Sequence, residues 1–275
     1  MSEEKVSFPG LEQEVQVIEQ ESKAEEAGAA ILTLSPSRIK TYQQCPRKYY
    51  YTYVAKLPRK EWAHFQLGTM VHGVLEFFHA EYRKDGGEPN LKRLMKEAFR
   101  KQREVMKREN IDVEPAMEIL TEAKKLLAEY LKRMETMGIG SEIISLEENF
   151  NIRLNEKYSV QGIVDRIDVD PDGVMHIRDY KTTKNAKYME PFQLQVYGMH
   201  LLNKYPDVDR FRGSYIMLRH KGKPISYDFN AEDVKKIRAN VLDYALKITQ
   251  EERWITKGSA LCDWCDFKDP CLTTW

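Results

Sequence analysis

The 275-residue chain has few cysteines, no net charge and no long apolar run. Four cysteines in a chain of this size are not the dense disulfide framework of a small secreted domain. The opening, MSEEKVSFPG, has neither the basic start nor the apolar segment of a secretory signal, so a cytoplasmic location is expected. No stretch approaches the roughly 20 apolar residues of a membrane helix, so no membrane partner is expected. No internal repeat is visible, and a formal charge of zero by itself argues nothing for nucleic acid. What remains, 42% hydrophobic and 31% charged residues, describes a globular chain long enough to bury a substantial core.

The charge is unevenly placed. Residues 1–30 hold eight Glu against Lys5 and Lys23, a net of −6, which leaves +6 on the rest. That opening reads as a flexible acidic arm, 1–30, ahead of a folded domain, 31–275. Between Arg38 and Lys60 seven Lys or Arg and no acid are interleaved with Tyr42, Tyr49, Tyr50, Tyr51 and Tyr53. Cations beside rings suit a single nucleic-acid strand. A solvated basic face over a Tyr-rich core fits the same pattern.

Ser35-Pro36-Ser37 opens a helix, with Ser35 as N-cap and Cys45 near the end. Leu67, Met70, Val71, Val74, Leu75 and Phe78 recur at helical spacing across 65–82, which puts His72 and Glu76 one turn apart. Two helices rich in Lys, Glu and Leu follow as a helical insertion, about 88–140. Strands are predicted at 143–154, 158–169 and 174–181. A helix over 190–204 places Gln193 and Tyr197 on one face. A second hairpin, 212–219 with 223–229, leads into a long helix capped by Asn230. The pattern of alternating strands and helices is α/β.

The chain is organised around 161–181, QGIVDRIDVDPDGVMHIRDYK, read as a hairpin turning at Asp170-Pro171-Asp172-Gly173. Alternation puts Ile163, Asp165, Ile167 and Val169 on one half-buried face, and Met175, Ile177, Asp179 and Lys181 on one face of the partner strand. With a five-residue connection Asp165 stands opposite Asp179. Opposed like charges repel unless a hard divalent cation lies between them, and Lys181 would then face whatever that cation holds. A solvated surface ion pair is the competing explanation.

Three cysteines fall in the last fourteen residues, as Cys262-x-x-Cys265 and Cys271, and a fourth, Cys45, lies near the start. Four thiolates would complete a site for zinc or an iron-sulfur cluster, and would join the two ends of the domain. A single Cys-x-x-Cys pair favours iron and sulfur, while buried thiols with no ligand stay as the plain alternative.

In order along the chain, Gly68-x-x-x-His72, Gly162-x-x-Asp165, Asp179-Tyr180-Lys181-Thr182 and Gln193-x-x-x-Tyr197, with one cysteine before and three after, resemble the RecB-like PD-(D/E)XK nucleases. Within that branch the likeness is to the iron-sulfur-stapled group that includes the AddB nuclease domain and the CRISPR-associated adaptation nucleases. Val164 stands where the superfamily pattern has Pro. The resemblance implies a restriction-endonuclease-like core, a mixed central sheet flanked by helices, and a deoxyribonuclease, an exonuclease more than an endonuclease, acting on single strands or duplex ends. His72, Asp165, Asp179 and the Tyr180 carbonyl would bind Mg2+ or Mn2+, with Lys181 acting on the attacking water and Gln193 and Tyr197 positioning the strand. Cys45, Cys262, Cys265 and Cys271 would hold a structural 4Fe-4S cluster in a C-terminal staple, 258–275. DNA is the implied partner, with a helicase or an adaptation-complex protein as a further one. A catalytically inactive assembly protein is the alternative.

Overall fold

The computed structural model describes residues 31–59, 63–84, 90–109, 117–137 and 140–272. The acidic arm lies outside them, as do Asp85-Gly86-Gly87, which in sequence read as a break after the helix of 65–82, and Glu114, which reads as the start of the second insertion helix. Strand β1 (Leu32–Leu34) passes through Ser35 into α1 (Pro36–Gln44), where the Ser35 hydroxyl accepts from the Arg38 N–H as expected of an N-cap. After α2 (Pro46–Tyr49) come α3 (Ala63–Lys84), α4 (Leu91–Glu109) and α5 (Met117–Met137). Met70, Val74, Leu75 and Phe78 of α3 bury with Leu94, Leu127 and Met134 of the two insertion helices, so all three form one layer.

The strands β2 (Glu142–Arg153), β3 (Tyr158–Val169), β4 (Met175–Lys181), β5 (Arg210–Met217) and β6 (Lys223–Asn230) complete a six-stranded mixed sheet. Helix α6 (Phe192–Lys204) follows β4. Helix α7 (Ala231–Thr249) follows β6, its start closed by a reciprocal box between Asn230 and Asp233, a device of about 1 kcal/mol. A short helix, α8 (Lys268–Leu272), ends the described chain.

The strand order is β1-β3-β4-β5-β6, with β2 on the opposite edge of β3. Because β2 runs along one edge from Ser159 to Val169, β1 and β4 share the other. There β1 stops at Val160 and β4 begins only at Arg166, so the stretch between them has no strand neighbour on that edge.

The expectation of a half-buried hairpin is corrected. Ile167 and Ile177 pack beneath α6 and α7, but the opposite face is covered too, by the α3–α5 layer. There Asp168 accepts from Arg166 at 2.6 and 2.7 Å and from Arg178 at 2.6 Å, while Arg166 meets His79 of α3. Each buried charge is paired and hydrogen-bonded, the condition under which burial is tolerated. Ile163, expected on the apolar face, is 46% exposed. Val164 and Ile167 both join the main core although three residues apart, so alternation breaks between them.

Candidate active site

The break in alternation falls at Asp165. The connection after β3 does span five residues, closed by Asp170 N–H to the Val174 carbonyl, and Ile167 pairs with Ile177. The ladder ends at Arg166 with Arg178. One step further the strands part, and the buried Asp165 carboxylate takes the Tyr180 N–H at 2.7 Å in place of a main-chain carbonyl. The acid thus closes the fork between the strands with Oδ2 and stays fixed beside Asp179.

Helix α3 brings His72 to this fork, Nδ1 lying 3.4 Å from Asp165 Oδ2. Helix α6 brings Gln193, whose Nε2 donates to Asp179 Oδ1 at 2.9 Å and to the Tyr197 hydroxyl at 2.6 Å, and whose Oε1 accepts from Lys181 Nζ at 2.9 Å. One amide therefore fixes both the acid and the amine of the Asp-Tyr-Lys triplet. Asp179 Oδ2 lies 2.5 Å from Lys181 Nζ, so the buried acid and the amine form an ion pair. The Tyr180 side chain points away, its hydroxyl 3.0 Å from His79 Nε2, which anchors the backbone whose carbonyl lies between Asp179 and Lys181.

The structure adds a residue that no sequence motif marked. Glu147 on β2, next to Asp165 across the ladder, adopts φ of 44°, a left-handed conformation rare outside glycine. Its carboxylate meets the His72 imidazole and the Asp165 carboxylate: one ligand atom from each lies within 4.8 Å of the others. The register that places Ser145 against Ile167 and Glu148 against Val164 was the one available signal, and it needs the structure to be read. Glu148, its neighbour, instead pairs with His200 and Lys204.

The electrostatics describe an excess of negative charge. Burial, then the Asp165 charge, pushes Glu147 up to about 8. Burial lifts Asp179 to about 6, with Asp165 adding to the rise and Lys181 opposing it. Burial works against ionised Asp165 as well, yet His72, Lys181 and the Tyr180 N–H hold it below its usual value. For His72 burial favours the neutral ring, but Asp165 and Asp179 outweigh it and raise the imidazole to about 9. His72, Glu147 and Asp165, with Asp179 beside them, are a hard-donor set that could hold a divalent cation.

In the basic, Tyr-rich segment, Tyr49 and Tyr51 are buried while Tyr42, Tyr50 and Tyr53 stay partly exposed. Tyr49 is buried and stacks on Trp254 at 5.8 Å, Tyr51 packs on Phe267, and the Arg38 guanidinium lies over Tyr53. These rings tie α1 and α2 to the C-terminal segment. Beside them Cys45, Cys262, Cys265 and Cys271 line one cavity of about 210 Å3 with Arg47, Lys48, Lys257 and Lys268. The Lys257 and Ser259 N–H groups donate to the Cys45 and Cys262 sulfurs, each at 3.4 Å. Burial and the other three thiols push the Cys271 thiol up.

The mixed sheet gathers acids, an imidazole and a lysine at its forked strand ends. The chain belongs to the PD-(D/E)XK nuclease superfamily, whose pattern matches residues 33–272, and its sheet and flanking helices are the restriction-endonuclease-like fold of that family. It is similar to one subunit of the ATP-dependent helicase/deoxyribonuclease of Streptococcus agalactiae, 25% identical over 240 residues, covering 81% of this chain and 21% of that protein. The subunit of the same name from Streptococcus mutans is 26% identical over 226 residues, 76% of this chain and 20% of the relative. The chain thus spans about a fifth of the length of these relatives. The crystal structure of SSO0001 covers 98% of this chain at 15% identity, with a TM-score of 0.38.

Proposed function

We propose that the chain is a divalent-cation-dependent deoxyribonuclease that cuts phosphodiester bonds at single strands or ends, as an exonuclease, within a DNA-repair or related DNA-processing assembly. The observation that carries this is the convergence of His72, Glu147 and Asp165 beside the Asp-Tyr-Lys strand end. DNA as substrate, and a helicase as partner, follow the names of the similar proteins.

His72, Asp165, Asp179, the Tyr180 carbonyl and Glu147 would hold Mg2+ or Mn2+. Such an ion supplies an acidified water and offsets charge on the scissile phosphate. Lys181, held by Gln193, presents its ammonium to the attacking water and to the phosphoryl oxygens, where negative charge grows in the transition state. Gln193 keeps Asp179 and Lys181 apart from bulk solvent and in fixed geometry. Tyr197 buttresses that amide.

The four cysteines would hold a 4Fe-4S cluster. Main-chain N–H donors to sulfur and a basic wall around the four thiols suit an anionic cluster.

The test is incubation of labelled single- and double-stranded DNA with Mn2+ or Mg2+. Wild type shortens the DNA, EDTA stops it, and Asp165→Ala or Lys181→Ala lowers the rate at least a hundredfold while thermal unfolding is retained. Binding without cleavage by the wild type would instead leave an inactive assembly protein.

A further inference from the structure

Helix α4 holds most of the folded chain's positive surplus. Residues 31–275 carry a net of +6, and Leu91 to Lys107 alone, with seven Lys or Arg against Glu97 and Glu104, carry +5. The charge is also ordered. Lys92, Lys96, Arg100, Arg103 and Lys107 follow one another at steps of four or three, which keeps them in one row along the helix, and all five are exposed. The other side of the helix, with Leu94, Met95, Ala98 and Met106, is the buried one.

A merely solvated face explains the row poorly. Side chains four residues apart on a helix are neighbours, and opposite signs at that spacing support an exposed helix while like signs oppose it. Lys92 with Lys96, Lys96 with Arg100, and Arg103 with Lys107 are all like pairs at that spacing. Acids relieve the repulsion in part: Lys92 lies 3.7 Å from Glu135 of α5, and Arg100 lies 3.3 Å from Glu104. Arg93, beside the row, Lys96 and Lys107 have no acidic partner among the described residues. The position of the row ties it to the catalytic fork. Gln102, on the buried side of α4, donates to the Thr69 carbonyl and occupies the space that a Cβ on Gly73 would need, so it grips α3 on both sides of His72. The outer face of α4 therefore stands on the order of 20 Å from the acids, less than one turn of B-form DNA.

We propose that this row binds the phosphate backbone of duplex DNA flanking the end that is cut, whatever its sequence. The proposal rests on the nuclease reading above and adds to it a contact away from the reacting bond. Duplex is favoured over a bare strand because the row has no ring for unpaired bases to stack on. Phe99, the one aromatic of α4, packs into the helical layer beneath Lys124 of α5. A duplex keeps its bases stacked on one another and offers a cationic row its phosphates alone.

The test is fluorescence anisotropy in EDTA, where nothing is cut, over a range of KCl. The probes are a labelled duplex of about 20 base pairs and one of its strands alone. The variant Arg93→Gln/Lys96→Gln/Lys107→Gln removes three exposed cations that no acid holds. The control Lys235→Gln/Lys236→Gln removes exposed charge from α7, on the other side of the sheet. Each phosphate neutralised contributes about 0.9 to the slope of log K against log salt, so the triple variant should show a slope smaller by about two to three and bind duplex about tenfold more weakly at low salt. The α7 variant should bind as wild type does, neither variant should lose thermal stability, and both should hydrolyse the small diester bis(4-nitrophenyl) phosphate with Mn2+ like wild type. Duplex binding by the triple variant equal to wild type, an equal loss in the α7 variant, or a loss confined to the single strand overturns the proposal and leaves the nuclease standing. A wild type that binds duplex through this row but cuts neither DNA nor the small diester with Mn2+ overturns the nuclease reading instead.

Discussion

At the scale of single residues, His176 shows how a polar group with catalytic geometry can be purely structural. It lies 2.7 Å from Asp170 and 2.7 Å from Ser214, the order of a Ser-His-Asp triad. Ser214 is completely buried, however, and its hydroxyl is also bonded to Ser226, so no substrate reaches it. A neutral ring satisfies the chain of bonds, Nδ1–H donating to Asp170 and Nε2 accepting from Ser214. Burial and the Arg178 charge lower His176 to about 4 from 6.5, against the pull of Asp170. As pH falls through 6.5 the unfolded chain takes up a proton that the folded protein refuses until about 4. Stability is therefore lost across that window, by up to about 3 kcal/mol, and the buried His79 acts in the same sense. Glu147 and Asp179, raised in the folded protein, gain stability over the same window, so the test is a difference between variants. From pH 7 to pH 5 the urea midpoint of wild type should fall relative to that of His176→Gln, and midpoints that change in parallel would show that the ring is not held neutral.

Strand alternation made the meeting of Asp165, Asp179 and Lys181 legible, whereas His72 and Gln193 were placed with them only by the family resemblance; the structure brings all five together. Glu147 was legible in neither way. Two adjacent glutamates in a strand look alike in sequence, and which of them turns to Asp165 depends on a left-handed residue and a cross-strand register.

At the scale of elements, periodicity located the long helices and strands to within a few residues. Apolar spacing of 3.6 or 2 over ten residues or more outlasts local exceptions. The three-residue β1 escaped, since Leu-Thr-Leu carries too little pattern and owes its form to pairing with Tyr158–Val160. The depth of the hairpin was also missed. Arg166, Asp168 and Arg178 look like a solvent face, and only the α3–α5 layer, with His79 and Tyr130, makes that face an interior. Close packing between elements gives a direct prediction. A Cβ on Gly198 of α6 would come 2.1 Å from the Phe211 ring of β5, which is fully buried and has no room to swing. Gly198→Ala should destabilise by about 2 kcal/mol despite its better helix propensity, lowering Tm on the order of 5 °C with cleavage retained at low temperature. An unchanged Tm would mean that α6 and β5 are looser than described.

At the scale of the whole molecule, the two ends of the described chain are held together. Tyr42, Tyr49 and Tyr50 cluster on Trp254, Arg47 donates to the Trp254 carbonyl, and the four thiols face one cavity. A cluster joining Cys45 to residues more than two hundred positions away would restrict the unfolded chain much as a long-loop cross-link does. Purified without oxygen, the protein should be brown with iron and sulfide bound. Cys45→Ser should lose that absorption and unfold at lower temperature, while a colourless wild type holding stoichiometric zinc would contradict the cluster. The nuclease site lies apart from this clamp, so the two assignments stand or fall separately.

The acids at the strand fork are arranged for a cation, and the most direct measurement is calorimetric titration of Mn2+ into metal-free protein at pH 7.5. Saturable binding by the wild type is predicted, weakened at least tenfold in both Asp165→Asn and Glu147→Gln with folding retained. Mn2+ affinity equal in wild type and Asp165→Asn would contradict the account.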